Sequence, residues 1–227
     1  MTQSQPGGAA GTWPWPPEIP PSRPPGPPGE PSRPWPERPA PILPSWEEPD
    51  PAWRENDVAD RLLDQRIVLV TGRLDDALAD QASRQLLLLG STDPDRPVEL
   101  YLSCRDAELS PSIALATAID LTRADVHTIV SGLLAGPALA VVCASAKRAA
   151  HRKATFVFSL PRGSTDDGTA TELATRAEQH DLLVSQLVER ISILTGRRDE
   201  DVAEDLRSDR LLSAEEAGAY GLVDDLL

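Results

Sequence analysis

Ile67-Val-Leu-Val-Thr71 is an uninterrupted apolar and β-branched run. Such a run suits a strand buried on both faces. Downstream, Ala79, Ala82, Leu86 and Leu89 recur at helical spacing within Asp75–Leu89, and Gly90 with Pro94 is expected to close that helix. A second apolar stretch, Val98-Glu-Leu-Tyr-Leu102, follows. Strand, helix, strand is the beginning of a βαβ unit, which implies a parallel sheet and right-handed crossovers. The alternation continues to the C-terminus. It predicts helices over 112–121, 136–146, 169–195, 199–206 and 213–219, strands over 126–130 and 154–158, and a short helical turn over 60–65. Gly136–Ala146 is rich in small residues, so close packing is expected there. Gly196 is placed to end the long helix, and Ser213-Ala-Glu-Glu216 has the pattern of a capping box.

Upstream the composition changes. Of the 23 prolines in the 227 residues, 18 lie between Pro6 and Pro51, and Trp13, Trp15, Trp35, Trp46 and Trp53 are all the tryptophans. Proline lacks an N–H and clashes with a preceding helical turn. Few aliphatic side chains are available here to offset the entropy of ordering. Residues 1–55 are therefore expected to be a disordered tail of polyproline II character, with 56–227 as the folded domain. The paired Pro21-Ser-Arg-Pro and Pro31-Ser-Arg-Pro segments are low complexity and not a folding repeat. The tail is either a ligand for a proline-recognising groove or a solvated spacer.

The net charge of −14 argues against a nucleic-acid partner. Cys104 and Cys143 cannot build a disulfide framework. The N-terminus has no basic start and apolar run, and no apolar stretch reaches the roughly 18 residues needed to span a bilayer. A cytoplasmic location with no membrane contact is the expectation. Three scattered histidines and two cysteines suggest neither a metal site nor a cofactor.

The order of short segments is more specific than any one of them. Arg61-Leu-Leu-Asp-Gln-Arg-Ile-Val-Leu-Val-Thr-Gly72, Leu100-Tyr-Leu-Ser103, Asp125-Val-His-Thr-Ile-Val-Ser-Gly132, Pro161-Arg-Gly163 with Gly168-Thr-Ala-Thr-Glu172, Asp209-Arg-Leu-Leu-Ser-Ala-Glu-Glu-Ala217 and Tyr220-Gly-Leu-Val-Asp224 run in sequence. Together they resemble the proteolytic subunit of Clp protease, the ClpP family of serine endopeptidases (peptidase S14). The resemblance covers about 57–227 and is nearly gap-free until a short deletion near Lys147–Lys153. It implies an α/β fold of the ClpP/crotonase type: a spiral parallel sheet with outer helices and a long handle helix. It also implies heptameric rings, homo- or hetero-oligomeric with a catalytic ClpP paralogue, and an AAA+ unfoldase as a possible further partner in ATP-dependent proteolysis.

Serine catalysis needs a hydroxyl, a base, a group orienting the base, and oxyanion donors. By the resemblance, the family's serine falls on Gly136 within Gly132-Leu-Leu-Ala-Gly-Pro-Ala138, and its histidine on Ser159. Its aspartate falls on Asp209, the one position that matches. The paired glycines near the oxyanion hole fall on Asp106 and Ala107, and Pro137 removes the N–H that would be the second donor. The resemblance is thus to a catalytically degenerate, ClpR-like pseudoprotease. Asp209 is expected to cap a turn or pair with Arg207 or Arg210, a triad relic being the alternative. Cys104 is expected to be an inert thiol rather than a replacement nucleophile. His127 and His180 are expected at surfaces or interfaces.

Overall fold

A computed structural model describes residues 51–160 and 169–227. The expectation of disorder over 1–50, and the Pro161–Gly168 part of the family resemblance, lie outside these residues. The first helix, α1 (Pro51–Asp64), is longer than the turn expected at 60–65 and enters the stretch assigned to the tail. Pro51 stands at its first position, where a missing N–H costs nothing because that group has no helical partner.

The main sheet is five-stranded and wholly parallel. It comprises β1 (Ile67–Leu74), β2 (Val98–Ala107), β3 (Val126–Val130), β5 (Lys147–Ala150) and β8 (Asp225–Leu226), in that spatial order. Each new strand joins the same side, which gives the expected spiral. A smaller sheet holds β4 (Leu133–Ala135), β6 (Thr155–Val157) and β7 (Leu211–Ser213), with β6 parallel to β4 and antiparallel to β7. Val68, Val70, Leu100, Leu102, Val126 and Val130 from the large sheet and Leu134, Phe156 and Leu212 from the small one share one buried core.

Helices α2 (Asp76–Thr92), α3 (Leu109–Leu121), α4 (Leu139–Cys143) and α5 (Ala170–Thr195) pack on one another, and α6 (Asp199–Arg207) packs on α5. The last helix, α7 (Ala214–Tyr220), leads into β8. Both C-terminal expectations hold. Gly196 ends α5 in the left-handed region at φ 69°, and Ser213 and Glu216 form the reciprocal capping box. Thr169 and Glu172 form a second such box at the start of α5.

Two expectations are corrected. Gly90 does not close α2 but lies inside it. A Cβ there would stand 2.6 Å from Thr122 Cγ2, so the glycine serves close packing against the end of α3. The helix expected over Gly136–Ala146 is instead a 3-10 turn at Gly136–Ala138 followed by the short α4, with strands β4 before and β5 after. Pro137 suits the first turn of a helix, where its missing N–H has no partner to lose, and the chain leaves α4 after Cys143 to pair 147–150 with 127–130 of β3.

Arg66 precedes β1 with φ 63° and is buried. Its guanidinium donates to the carbonyls of Asp93 (2.9 Å), Arg96 (2.8 Å) and Pro97 (3.2 Å), tying the α2–β2 connection to the start of β1. Among the described residues no helix is long and apolar enough to cross a membrane.

Candidate functional site

Gly136, Ser159 and Asp209, the positions expected to correspond to the family's triad, all lie just beyond strands of the small sheet. Ala135 pairs with Val157 at the parallel ends of β4 and β6, so Gly136 and Ser159 leave the sheet side by side. On the other flank Val157 pairs with Leu211, and the N–H of Phe158 donates to the carbonyl of Arg210 at 2.8 Å. Asp209 lies two residues before β7, the strand that pairs with β6, and Gly136 and Ser159 are in direct contact although they are far apart in the chain.

The side chains they offer are few. Gly136 is buried and has none. Ser159 is half-buried, and a Cβ built on Gly136 would lie 2.9 Å from its Oγ and would collide with its carbonyl oxygen. Asp209 is exposed, in the left-handed region at φ 50°, a conformation that aspartate tolerates better than most residues. The pairing expected for it is not made. Arg207 reaches Glu204 at 3.4 Å and Arg210 reaches Asp205 at 2.9 Å. No base stands by. Among the described residues no histidine hydrogen-bonds a hydroxyl, thiol or carboxylate, and His151 Nδ1 accepts from the N–H of Lys153 at 3.2 Å.

Asp106 and Ala107 close β2. Their partners on β1 are Arg73 and Leu74, after a bulge at Gly72/Arg73. Neither adopts a positive φ. Asp106 is an exposed carboxylate 3.6 Å from the Arg73 Nε, and Arg73 also donates to Glu108 at 2.9 Å. That hydrogen bond and the two carboxylates hold the Arg73 guanidinium's pKa above its usual value. Pro137 is buried in the 3-10 turn and has no N–H to donate.

Cys104 is wholly buried in β2, its thiol 3.6 Å from the carbonyl of Val70. Burial pushes this thiol up to about 11, so it stays protonated at neutral pH and is a poor nucleophile. Cys143 is likewise pushed up to about 12 by burial. His127 and His180 are half-buried on β3 and α5, away from the strand ends that carry the site. Among the described residues no three His, Cys, Asp or Glu side chains converge as metal ligands.

Sequence reasoning missed two features. Behind Ser159, the ring of buried Phe158 lies 5.0 Å from that of Tyr220, whose hydroxyl donates to Asp205 at 2.8 Å. The Arg197 guanidinium lies 3.8 Å above the Tyr220 ring. This cluster draws on four separate stretches of the chain, and no local spacing announces it. The other feature is an exposed apolar patch. Leu87 from α2 and Leu121 from α3 line a surface cavity of about 240 Å³ with Ser91, Thr122 and Arg123, and Leu88 is exposed beside Leu87. Its signal was in plain view: Leu86-Leu-Leu-Leu89 is too long an apolar run for one helix face.

Comparison with known proteins agrees with the geometry. A family model described as Clp protease matches residues 50–227. The chain is 33% identical over 169 residues to the ATP-dependent Clp protease proteolytic subunit 3 of Rhodococcus jostii, an alignment covering 74% of this chain and 83% of that one. It is 34% identical over 191 residues to the ATP-dependent Clp protease proteolytic subunit 1 of Frankia casuarinae, covering 83% and 89%. It is also 33% identical over 178 residues to the ATP-dependent Clp protease proteolytic subunit of Streptococcus suis, covering 77% and 90%.

Proposed function

The chain belongs to the Clp protease family, and on that premise we propose that it is a non-catalytic subunit that joins or regulates a Clp protease ring. It would act on assembly, unfoldase docking or substrate entry in ATP-dependent proteolysis, and not on the peptide bond. The observation that carries this reading is the edge of the small sheet. Gly136 has no side chain, and among the described residues no histidine hydrogen-bonds Ser159. Attack on a carbonyl requires an activated hydroxyl or thiol. It also requires donors for the oxyanion, and here Pro137 has none to give while Asp106 brings negative charge to the neighbouring strand end.

The core is continuous, and α5 keeps its N-cap and its glycine stop. The apolar cavity between α2 and α3 adds a surface on which a partner could rest, since exposed contiguous apolar area marks interaction sites. The partners proposed are a catalytic ClpP paralogue in a mixed ring and an AAA+ unfoldase.

Two measurements test this. The purified full-length chain is expected to resist a fluorophosphonate probe and to leave a short fluorogenic peptide intact. Mixed with a catalytic paralogue, it is expected to appear in ring-sized particles by native mass spectrometry. Relatives that carry the name proteolytic subunit favour a second reading, an active serine endopeptidase. Probe labelling that is lost on changing Ser159 or Cys104 would establish that reading instead. A chain that stays monomeric beside every paralogue, and loses a binding partner when residues 1–55 are deleted, would point to a standalone scaffold.

A further inference from the structure

Gly136 is not explained by backbone freedom. Among the described residues the glycines in the left-handed region are Gly72, Gly196 and Gly221, and Gly136 is not among them. What surrounds it is the main chain of another segment. A Cβ at 136 would overlap the carbonyl oxygen of Ser159 and lie 2.9 Å from its carbonyl carbon. Real Cβ atoms essentially never approach other heavy atoms so closely. The obstruction is backbone, so it cannot swing aside as a side-chain end would.

The chain leading into Ser159 is held from several directions. β6 is the middle strand of its sheet, held by β4 on one side and β7 on the other. Phe158, next to Ser159, donates its N–H to Arg210 at 2.8 Å, and its buried ring rests against Tyr220. Tyr220 is in turn fixed by Asp205 at 2.8 Å. On the facing side Pro137 locks its own φ within a buried turn.

We infer that the main chain of Ser159 is a built-in plug: its carbonyl fills the space that any side chain at position 136 would need. The site is closed by the fold, not merely short of a nucleophile. This rests on reading 136 as the nucleophile's position. Its consequence is that putting the missing groups back does not restore the chemistry, because the hydroxyl and the plug compete for one volume. A mixed ring containing this chain would hold permanently blank positions.

The full-length protein tests this with two alanine substitutions that differ only in what they meet. Gly132→Ala is the control, because its Cβ would meet the Ser103 hydroxyl, which rotates. Gly132→Ala is expected to fold with a small change in Tm. Gly136→Ala is expected to lose at least about 5 °C in Tm, or to fail to fold, the effect of forcing a methyl into a filled core. Adding Ser159→Gly to Gly136→Ala is expected to rescue nothing, since the carbonyl remains. The double variant Gly136→Ser with Ser159→His is expected to stay unlabelled by a fluorophosphonate probe. The plug is overturned if Gly136→Ala matches the wild-type Tm, if Ser159→Gly restores it, or if the double variant labels and cleaves peptide. Labelling of the wild-type chain would instead defeat the non-catalytic reading. A neutral Gly136→Ala with an unlabelled wild type would defeat the plug alone.

Discussion

The large sheet pairs β1 with β2 over eight residues and β2 with β3 over five, whereas each pairing in the small sheet spans three. The large sheet is made of side chains that ask only to be buried: Val68, Val70, Leu100, Leu102, Val126 and Val130. The strands of the small sheet adjoin Gly136, Ser159 and Asp209, the positions proposed to correspond to the family's triad. Burial tolerates many sequences, because any apolar set of about the right volume fills a core. Catalysis needs particular atoms at particular points, and a single absent hydroxyl ends it. On the reading proposed above, a family scaffold persists in a chain whose reactive edge is given over to packing.

The hardest test of this contrast is to damage both sheets equally. Leu100→Ala, in the large sheet, and Phe156→Ala, in the small one, each remove a wholly buried side chain. They are expected to cost about 2–5 and 3–5 kcal/mol respectively in urea unfolding. Both are expected to shift one shared transition, because the two side chains belong to one core. Two separate transitions would break the comparison by making the small sheet an independent unit.

A smaller effect is expected from Arg66→Ala. It leaves three carbonyls without their charged donor and is expected to cost about 2 kcal/mol, read from the same denaturation curves. Ser213→Ala removes the cap that orders α7 beside the small sheet, and about 1 kcal/mol is expected.

The thiols give a pH test of the large sheet's burial. The folded state holds the Cys104 proton up to about 11, against an ordinary value of 9.0. The unfolded chain releases that proton first. The contribution is thus fully present below pH 9 and fades as pH rises towards 11. Urea midpoints at pH 8, 9.5 and 10.5 are expected to fall in that order, with no maleimide labelling of folded protein at pH 8. The smallest effect belongs to Asp209→Asn. An exposed carboxylate with neither arginine engaged is expected to change stability by less than about 0.5 kcal/mol, and to leave a mixed ring's peptidase rate unchanged. A clear loss of rate would show that Asp209 still serves a neighbouring site.

How far the sequence reveals these features depends on the range of the forces involved. β1, α2, β2 and β3 follow local periodicity, and the caps at Ser213 and Gly196 follow from residues a few positions apart. β5, β7 and β8 were not legible: Lys147-Arg-Ala-Ala150 and Leu211-Leu-Ser213 are too short or too polar to announce themselves, and become strands only because β3 and β6 offer them partners. Gly90 looks like a helix stop until Thr122 is seen pressing against it.

The amino-acid sequence by itself determined the family and the absence of a hydroxyl at 136 and of an imidazole at 159, since those are matters of residue identity and order. Only the tertiary structure decided that Gly136 and Ser159 touch and that Cys104 is sealed in the sheet. The reason is physical. Identity is a property of one position, whereas the space around a position is set by segments that pairing and burial bring together from elsewhere in the chain.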